Sequence, residues 1–148
     1  MTSSDEKTVA RAIRILQKVL ATRGELMTAP STVKRYLTLR LARKEHEVFG
    51  ALWLNAKNEL IADEDMFFGT LTQTSVYPRE IVKKSLHHNA ASLICYHNHP
   101  SGCPKPSDAD RYLTTNLQNA LQLVEVRLLD HIIVGGLDSY SFAENGQL

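Results

Sequence analysis

Cysteine is scarce: Cys95 and Cys103 are the only two in 148 residues. Two thiols cannot supply the disulfide framework of a small secreted domain, so free thiols are expected. No apolar run approaches the roughly 18–20 residues that cross a bilayer. The polar start Met1-Thr2-Ser3-Ser4-Asp5-Glu6 also lacks the basic and apolar stretches of a signal peptide. A cytoplasmic location with no membrane partner is the expectation. Seven glycines and five prolines are too few for a fibrous or low-complexity chain. What is present is ordinary, at 43% hydrophobic and 22% charged residues, and a chain of this length suffices for one compact core.

The net charge of +1 hides a division. Residues 1–44 carry ten Lys/Arg and three Asp/Glu, a balance of +7, whereas residues 45–148 carry seven and thirteen, a balance of −6. A basic arm on an acidic body suits a weak contact with nucleic acid or an acidic partner, and equally suits a solvated helix face.

Ser3 and Glu6 have capping-box spacing, and Val9, Ile13, Leu16 and Leu20 recur at the period of one helix face. Lys7, Arg11, Arg14 and Lys18 form a basic stripe on another face, and Gly24 is the expected stop. After Pro30, Ser31 caps a second predicted helix through Val33, Tyr36, Leu37 and Leu41, ending near Lys44. The expected organisation is an N-terminal helical arm over 1–30 and a main domain over 31–148.

Residues 47–54 read as a strand, with a turn at Ala56-Lys57-Asn58 and a return through Leu60-Ile61 and Met66-Phe67-Phe68 as an antiparallel hairpin. Pro78 opens a helix that His87-His88-Asn89 closes, the histidines favouring the helix's negative end. Ser92–Tyr96 suits a buried strand. The three prolines of Pro100–Pro106 force a loop, and Ser107 caps a helix carrying Leu113, Leu117, Leu121 and Val124. Residues 126–129 and 131–134 read as two strands, Gly135-Gly136 as a turn and 139–142 as a last strand. Helices alternating with a mixed sheet give an α/β (α+β) class, and exposed strand edges would permit a homodimer.

His97 and His99 stand two residues apart at a predicted strand end, so the pleat turns both imidazoles to one face. Asp110 follows eleven residues after His99, across the proline loop and one turn into a capped helix. Two imidazoles and a carboxylate are a donor set zinc accepts, and three protein ligands leave the fourth position open, as in catalytic sites. Asp110 also stands at the N3 position of that helix, where a carboxylate satisfies backbone donors without any metal.

The string His97-Asn98-His99, seven residues, Ser107, two residues and Asp110 resembles the JAMM motif of JAB/MPN metallopeptidases at every position. Around it, Gly69-Thr70-Leu71, residues 75–80, residues 88–91, Pro100-Ser101-Gly102 and Leu129-Asp130-His131 resemble the RadC-like branch, over roughly residues 31–145. The resemblance implies a JAB/MPN-like fold with a mixed central sheet flanked by helices, and a zinc hydrolase cleaving the amide bond of a peptide or protein substrate. It also implies Zn2+ held by His97, His99 and Asp110, with an upstream glutamate as general base and Ser107 as hydrogen-bond donor to the oxyanion. Glu47, at the start of the first strand, fits that glutamate best, and Glu45 competes. The DNA-repair association of the RadC family leaves a second possibility, a DNA-associated module whose metal site is vestigial. Relatives carry a helix-hairpin-helix-like region ahead of this domain, for which the roughly 30 residues here leave little room.

Two other assemblies use the same letters. Cys95, His97, His99 and Cys103 form a Cys2His2 set, but structural zinc sites draw paired ligands from turns at wider spacing. Asp130-His131 is half of a triad, but no G-x-S-x-G elbow accompanies it.

Overall fold

The structure is a computed structural model that describes residues 1–69 and 75–148. The expectation on Thr70 and Leu71 lies outside them. The chain runs α1 (Ser3–Thr22), a 3₁₀ turn (Gly24–Leu26), α2 (Pro30–Leu41), β1 (Val48–Leu54), β2 (Leu60–Phe68), α3 (Pro78–His87), β3 (Ser92–Asn98), α4 (Asp108–Gln122), β4 (Arg127–Gly135) and β5 (Asp138–Ser141). The strands form one sheet in the order β2-β1-β3-β4-β5. β3 and β4 are parallel and every other pair is antiparallel. Among the described residues no helix is long and apolar enough to cross a membrane.

Strand periodicity divides the core into two layers. Leu52 and Leu54 of β1, Ile94 and Tyr96 of β3, and Ile132 and Val134 of β4 face α1 and α2, with Leu20, Val33, Tyr36, Leu37 and Leu41 opposite. Ala51 and Trp53, Leu93 and Cys95, and Leu128 face the other way, against Ile81 of α3 and Leu117 and Leu121 of α4. β1 and β3 are buried throughout because the sheet is covered on both sides.

Several local expectations shift. The capping box of α1 is built by Thr2 and Asp5, not Ser3 and Glu6, one residue earlier at the same spacing. α2 has Ala29 at its N-cap and Pro30 in its first turn, so Ser31 is inside the helix; the helix ends at Leu41 rather than near Lys44. β1 begins at Val48, leaving Glu47 just before it. The two strands expected at 126–134 are one, β4, because Asp130 does not break the pairing but continues it opposite Ile94. Gly24 follows the helix end for a reason of packing: a Cβ there would lie 1.9 Å from the Lys57 carbonyl oxygen.

Candidate metal centre

The site forms where the C-terminal end of β3 meets the start of β1 and the N-terminus of α4. Asn98 aligns the first two. Its Oδ1 accepts from the Val48 N–H at 2.7 Å and its Nδ2 donates to the His46 carbonyl at 3.0 Å, gripping Glu47 from both sides. The Glu47 carbonyl accepts from the Gly69 N–H at 2.8 Å. Glu47 is half-buried and faces the cluster, whereas Glu45 is exposed.

The proline loop brings in the remaining pieces. A Cβ at Gly135 would lie 2.5 Å from the Pro104 nitrogen, so glycine at the end of β4 lets the loop fold against the sheet. That approach carries the Cys103 carbonyl to 3.0 Å from His99 Nδ1. Ser107 then caps α4: its Oγ accepts from the Asp110 N–H at 3.1 Å, and its own N–H donates to Asp110 Oδ2 at 2.8 Å. The carboxylate that caps α4 also lies beside both rings.

Asp110 Oδ1 lies 3.2 Å from His97 Nε2, Asp110 Oδ2 lies 3.2 Å from His99 Nε2, and the two Nε2 atoms are 2.9 Å apart. Ligand atoms 2.0–2.1 Å from a tetrahedral zinc are about 3.3–3.4 Å from one another. The separations are a little shorter than that spacing, and the two Asp110 contacts are made by different oxygens, one to each ring. Glu47 Oε1 is farther out, 3.9 Å from His97 Nε2, and Glu47, His97 and His99 together place their donor atoms within 4.8 Å of one another.

Protonation follows from the partners. A backbone carbonyl only accepts, so His99 donates from Nδ1 to Cys103; in the neutral ring Nε2 carries a lone pair, and a second proton there is the one Asp110 receives. His97 Nδ1 lies 2.8 Å from Nε2 of His131, a fully buried residue. Burial first, and then the neighbouring His97, pushes the His131 imidazole well below its ordinary 6.5, so this ring is neutral. Burial raises the Asp110 carboxyl, but its hydrogen bonds with His97 and His99 outweigh that and hold it far below the carboxylate range. The hydrogen bond to Asp110 lifts His99 above 6.5. Among the described residues, His97 and His99 are the only ion-pair partners of the Glu47 and Asp110 carboxylates. Two imidazole Nε2 atoms and two carboxylates converge with no Lys or Arg ion-paired to them among the described residues, and the donor set fits a divalent cation.

A cavity of about 200 Å3 opens beside the cluster, with Phe49, Val76, Ala109 and Leu113 as apolar walls and Glu47, His97 and Asp110 as its polar side. A larger hollow of about 610 Å3 lies at the far end of α4, by Gln118, Gln122 and Leu148. Among the described residues no metal-ligating cluster lines it, so the smaller cavity is the one with chemistry beside it.

The rival assemblies do not form. Cys95 points its thiol at the Asp130 carbonyl, 3.8 Å away, and Cys103 is exposed and contributes only its backbone oxygen. Asp130 accepts from Ser141 and from the N–H groups of His131 and Ala143, not from the His131 ring. His88 does close α3, but it also meets Glu64 at 3.0 Å and packs on Trp53.

A five-stranded mixed sheet between helical layers, with a histidine pair at a strand end facing a capped helix, is the architecture of a JAB/MPN-type module. The model of the RadC-like JAB domain matches residues 27–147, and the chain belongs to that family. The UPF0758 protein of Thiobacillus denitrificans is 57% identical over 125 residues, covering 84% of this chain and 56% of that protein. The UPF0758 protein of a Janthinobacterium species is 58% identical over the same extent. UPF0758 protein YkfG of Escherichia coli is 48% identical over 148 residues, covering 100% of this chain and 94% of its own length. Against the first two, the chain spans just over half the relative's length.

Reading the letters alone gave Asn98 and His131 no role at this cluster, and did not single out Thr114, whose hydroxyl lies 2.6 Å from His131 Nδ1. Parity offered a signal for His131, since it pairs with Cys95, two residues from His97 on the same face.

Proposed function

We propose that the chain is a zinc-dependent hydrolase of amide bonds, of the metallopeptidase or isopeptidase type. The observation that carries the reading is the convergence of His97, His99 and Asp110 at 2.9–3.2 Å, with hydrogen-bond partners that free Nε2 of His99 and suit the same state of His97. His97, His99 and Asp110 would hold the ion. When bound, zinc polarises a carbonyl and lowers the pKa of a coordinated water from 15.7 to about 7. Glu47, beside the ligands, takes a proton from the attacking water and passes it to the leaving amine. Ser107 uses a lone pair to cap α4, and its O–H proton is left to donate to the oxyanion. The apolar walls beside the cluster suit a substrate with an aliphatic side chain next to the cleaved bond.

The test is turnover of a peptide library by the zinc-loaded chain. Glu47→Gln should keep zinc and lose about 10²–10⁴-fold in rate. Activity unchanged in that variant, or undiminished after zinc is stripped, contradicts the reading.

A second reading, a nucleic-acid-associated module with a vestigial metal site, is favoured by Lys7, Arg11, Arg14 and Lys18, all exposed along α1. It expects binding that falls steeply with salt and survives loss of zinc. Binding unaffected by replacing the four with glutamine removes it.

A further inference from the structure

We infer that His131 and Thr114 are positioning residues, which fix His97 in the tautomer that turns an Nε2 lone pair toward the cation site. The inference rests on the zinc reading above. Four contacts make a continuous path. Thr114 Oγ1 lies 2.7 Å from the Asp110 carbonyl oxygen and 2.6 Å from His131 Nδ1. His131 Nε2 lies 2.8 Å from His97 Nδ1, and His97 Nε2 lies 3.2 Å from Asp110 Oδ1. Thr114, His131 and His97 are each at most 2% exposed, so water does not compete for these atoms.

The direction of the path is set at one end. A hydroxyl has a single proton, and the Asp110 carbonyl can only accept, so the Thr114 proton goes to Asp110. Thr114 Oγ1 must then accept from His131 Nδ1–H. That leaves His131 Nε2 as an acceptor, which draws the Nδ1 proton of His97 and frees His97 Nε2. The opposite arrangement puts a proton on His97 Nε2, where it donates to Asp110 Oδ1 and blocks a cation, and takes the hydroxyl away from the Asp110 carbonyl. Asp110 therefore acts at both ends, through its carboxylate at the cluster and its carbonyl behind it. The His131 ring cannot easily turn out of line. It stacks on Phe142 with centroids 4.7 Å apart and meets the edge of Phe49 at 5.6 Å.

Such partners behind a ligating histidine orient the ring and raise its basicity, and losing one typically lowers metal affinity about 10–100-fold. Thr114→Val keeps the shape and removes the hydroxyl; Thr114→Ser keeps the hydroxyl. Zinc affinity of the full chain, by competition with a chelator, should fall about 10–100-fold in Thr114→Val and stay close to wild type in Thr114→Ser. Nitrogen-15 NMR of the zinc-loaded wild type should find the His131 proton on Nδ1. Wild-type affinity in Thr114→Val, equal losses in both variants, or a His131 proton on Nε2 overturns the inference. If the wild-type chain takes up no zinc at all, the zinc reading fails separately. The His131 tautomer in the metal-free chain then still decides the path, Nδ1–H supporting it and Nε2–H overturning it.

Discussion

Tyr96 and His97 are neighbours on β3, and the pleat sends them into two polar clusters on opposite faces of one sheet. On the α1/α2 face, the Tyr96 hydroxyl lies 2.7 Å from both Asp63 and Asp65, and the Tyr36 hydroxyl also reaches Asp63. Arg40 bridges the two carboxylates at 3.2 and 2.8 Å with its guanidinium 5.3 Å from the Tyr96 ring centre. Burial raises the Asp63 carboxyl, while Arg40 and the tyrosines oppose it; at Asp65 burial also raises the carboxyl, but hydrogen bonds from Arg40 and Tyr96 and the charges of Arg40 and Lys44 together keep it low. On the other face, the ion-pair partners of Asp110 and Glu47 among the described residues are imidazoles. The first cluster carries its own cation and the second does not. A carboxylate pair with a resident guanidinium ties helix to sheet; a carboxylate facing ring lone pairs keeps a place for a cation from outside.

The comparison breaks most visibly at Arg40. Arg40→Met leaves Asp63 and Asp65 without their guanidinium, with only Lys44 at 3.9 Å from Asp65 as a remaining cation, and should cost up to about 3–5 kcal/mol of stability, read by denaturant unfolding. Zinc uptake by the folded variant should match wild type. Loss of zinc with little loss of stability would reverse the roles assigned to the two clusters.

The next effect belongs to the other face. Ser107→Ala should lower turnover about 10²–10³-fold and cost about 1 kcal/mol of stability through the lost cap. If kinetics are unchanged while melting temperature drops, Ser107 is a helix cap alone.

The smallest effect is a pH dependence of the metal-free chain. His99 is raised in the folded state, so between 6.5 and its folded value the folded chain binds more protons and gains stability on acidification. His131 is depressed, so below 6.5 the unfolded chain binds a proton that the folded chain refuses. Stability should therefore rise slightly as pH falls toward 6.5 and decline beneath it, with a contribution from His131 of at most about 1.4 kcal/mol per pH unit. Denaturant unfolding in chelator from pH 8 to 5 reads the profile. A curve that keeps rising below pH 6.5 would contradict a neutral buried His131.

Much of the second cluster was legible in the sequence because its logic is local. Two residues along a strand share a face, and Ser107 with Asp110 is a capping pattern whose geometry does not depend on the rest of the fold. The first cluster was not legible: Arg40 lies 23 and 25 residues from Asp63 and Asp65, and only the packing of α2 on the sheet joins them. Thr114 and His131 are 17 residues apart and were hidden for the same reason. The capping box expected at Ser3 and Glu6 is built instead by Thr2 and Asp5, and spacing alone does not fix which residue the chain uses. Gly24 looked like a helix stop, but the neighbour that requires glycine there is Lys57, in another turn. Asp130 suggested a strand break, though in the fold its carboxylate accepts three hydrogen bonds from the C-terminal turn and its own neighbour.

The most direct test of the zinc reading is the zinc content of the purified full chain beside its His97→Ala/His99→Ala variant, by elemental analysis after dialysis against buffered zinc. The account predicts about one zinc per wild-type chain, the single open site of this ligand class, and none in the variant. Equal zinc in both proteins, or a wild type that binds none, would contradict it.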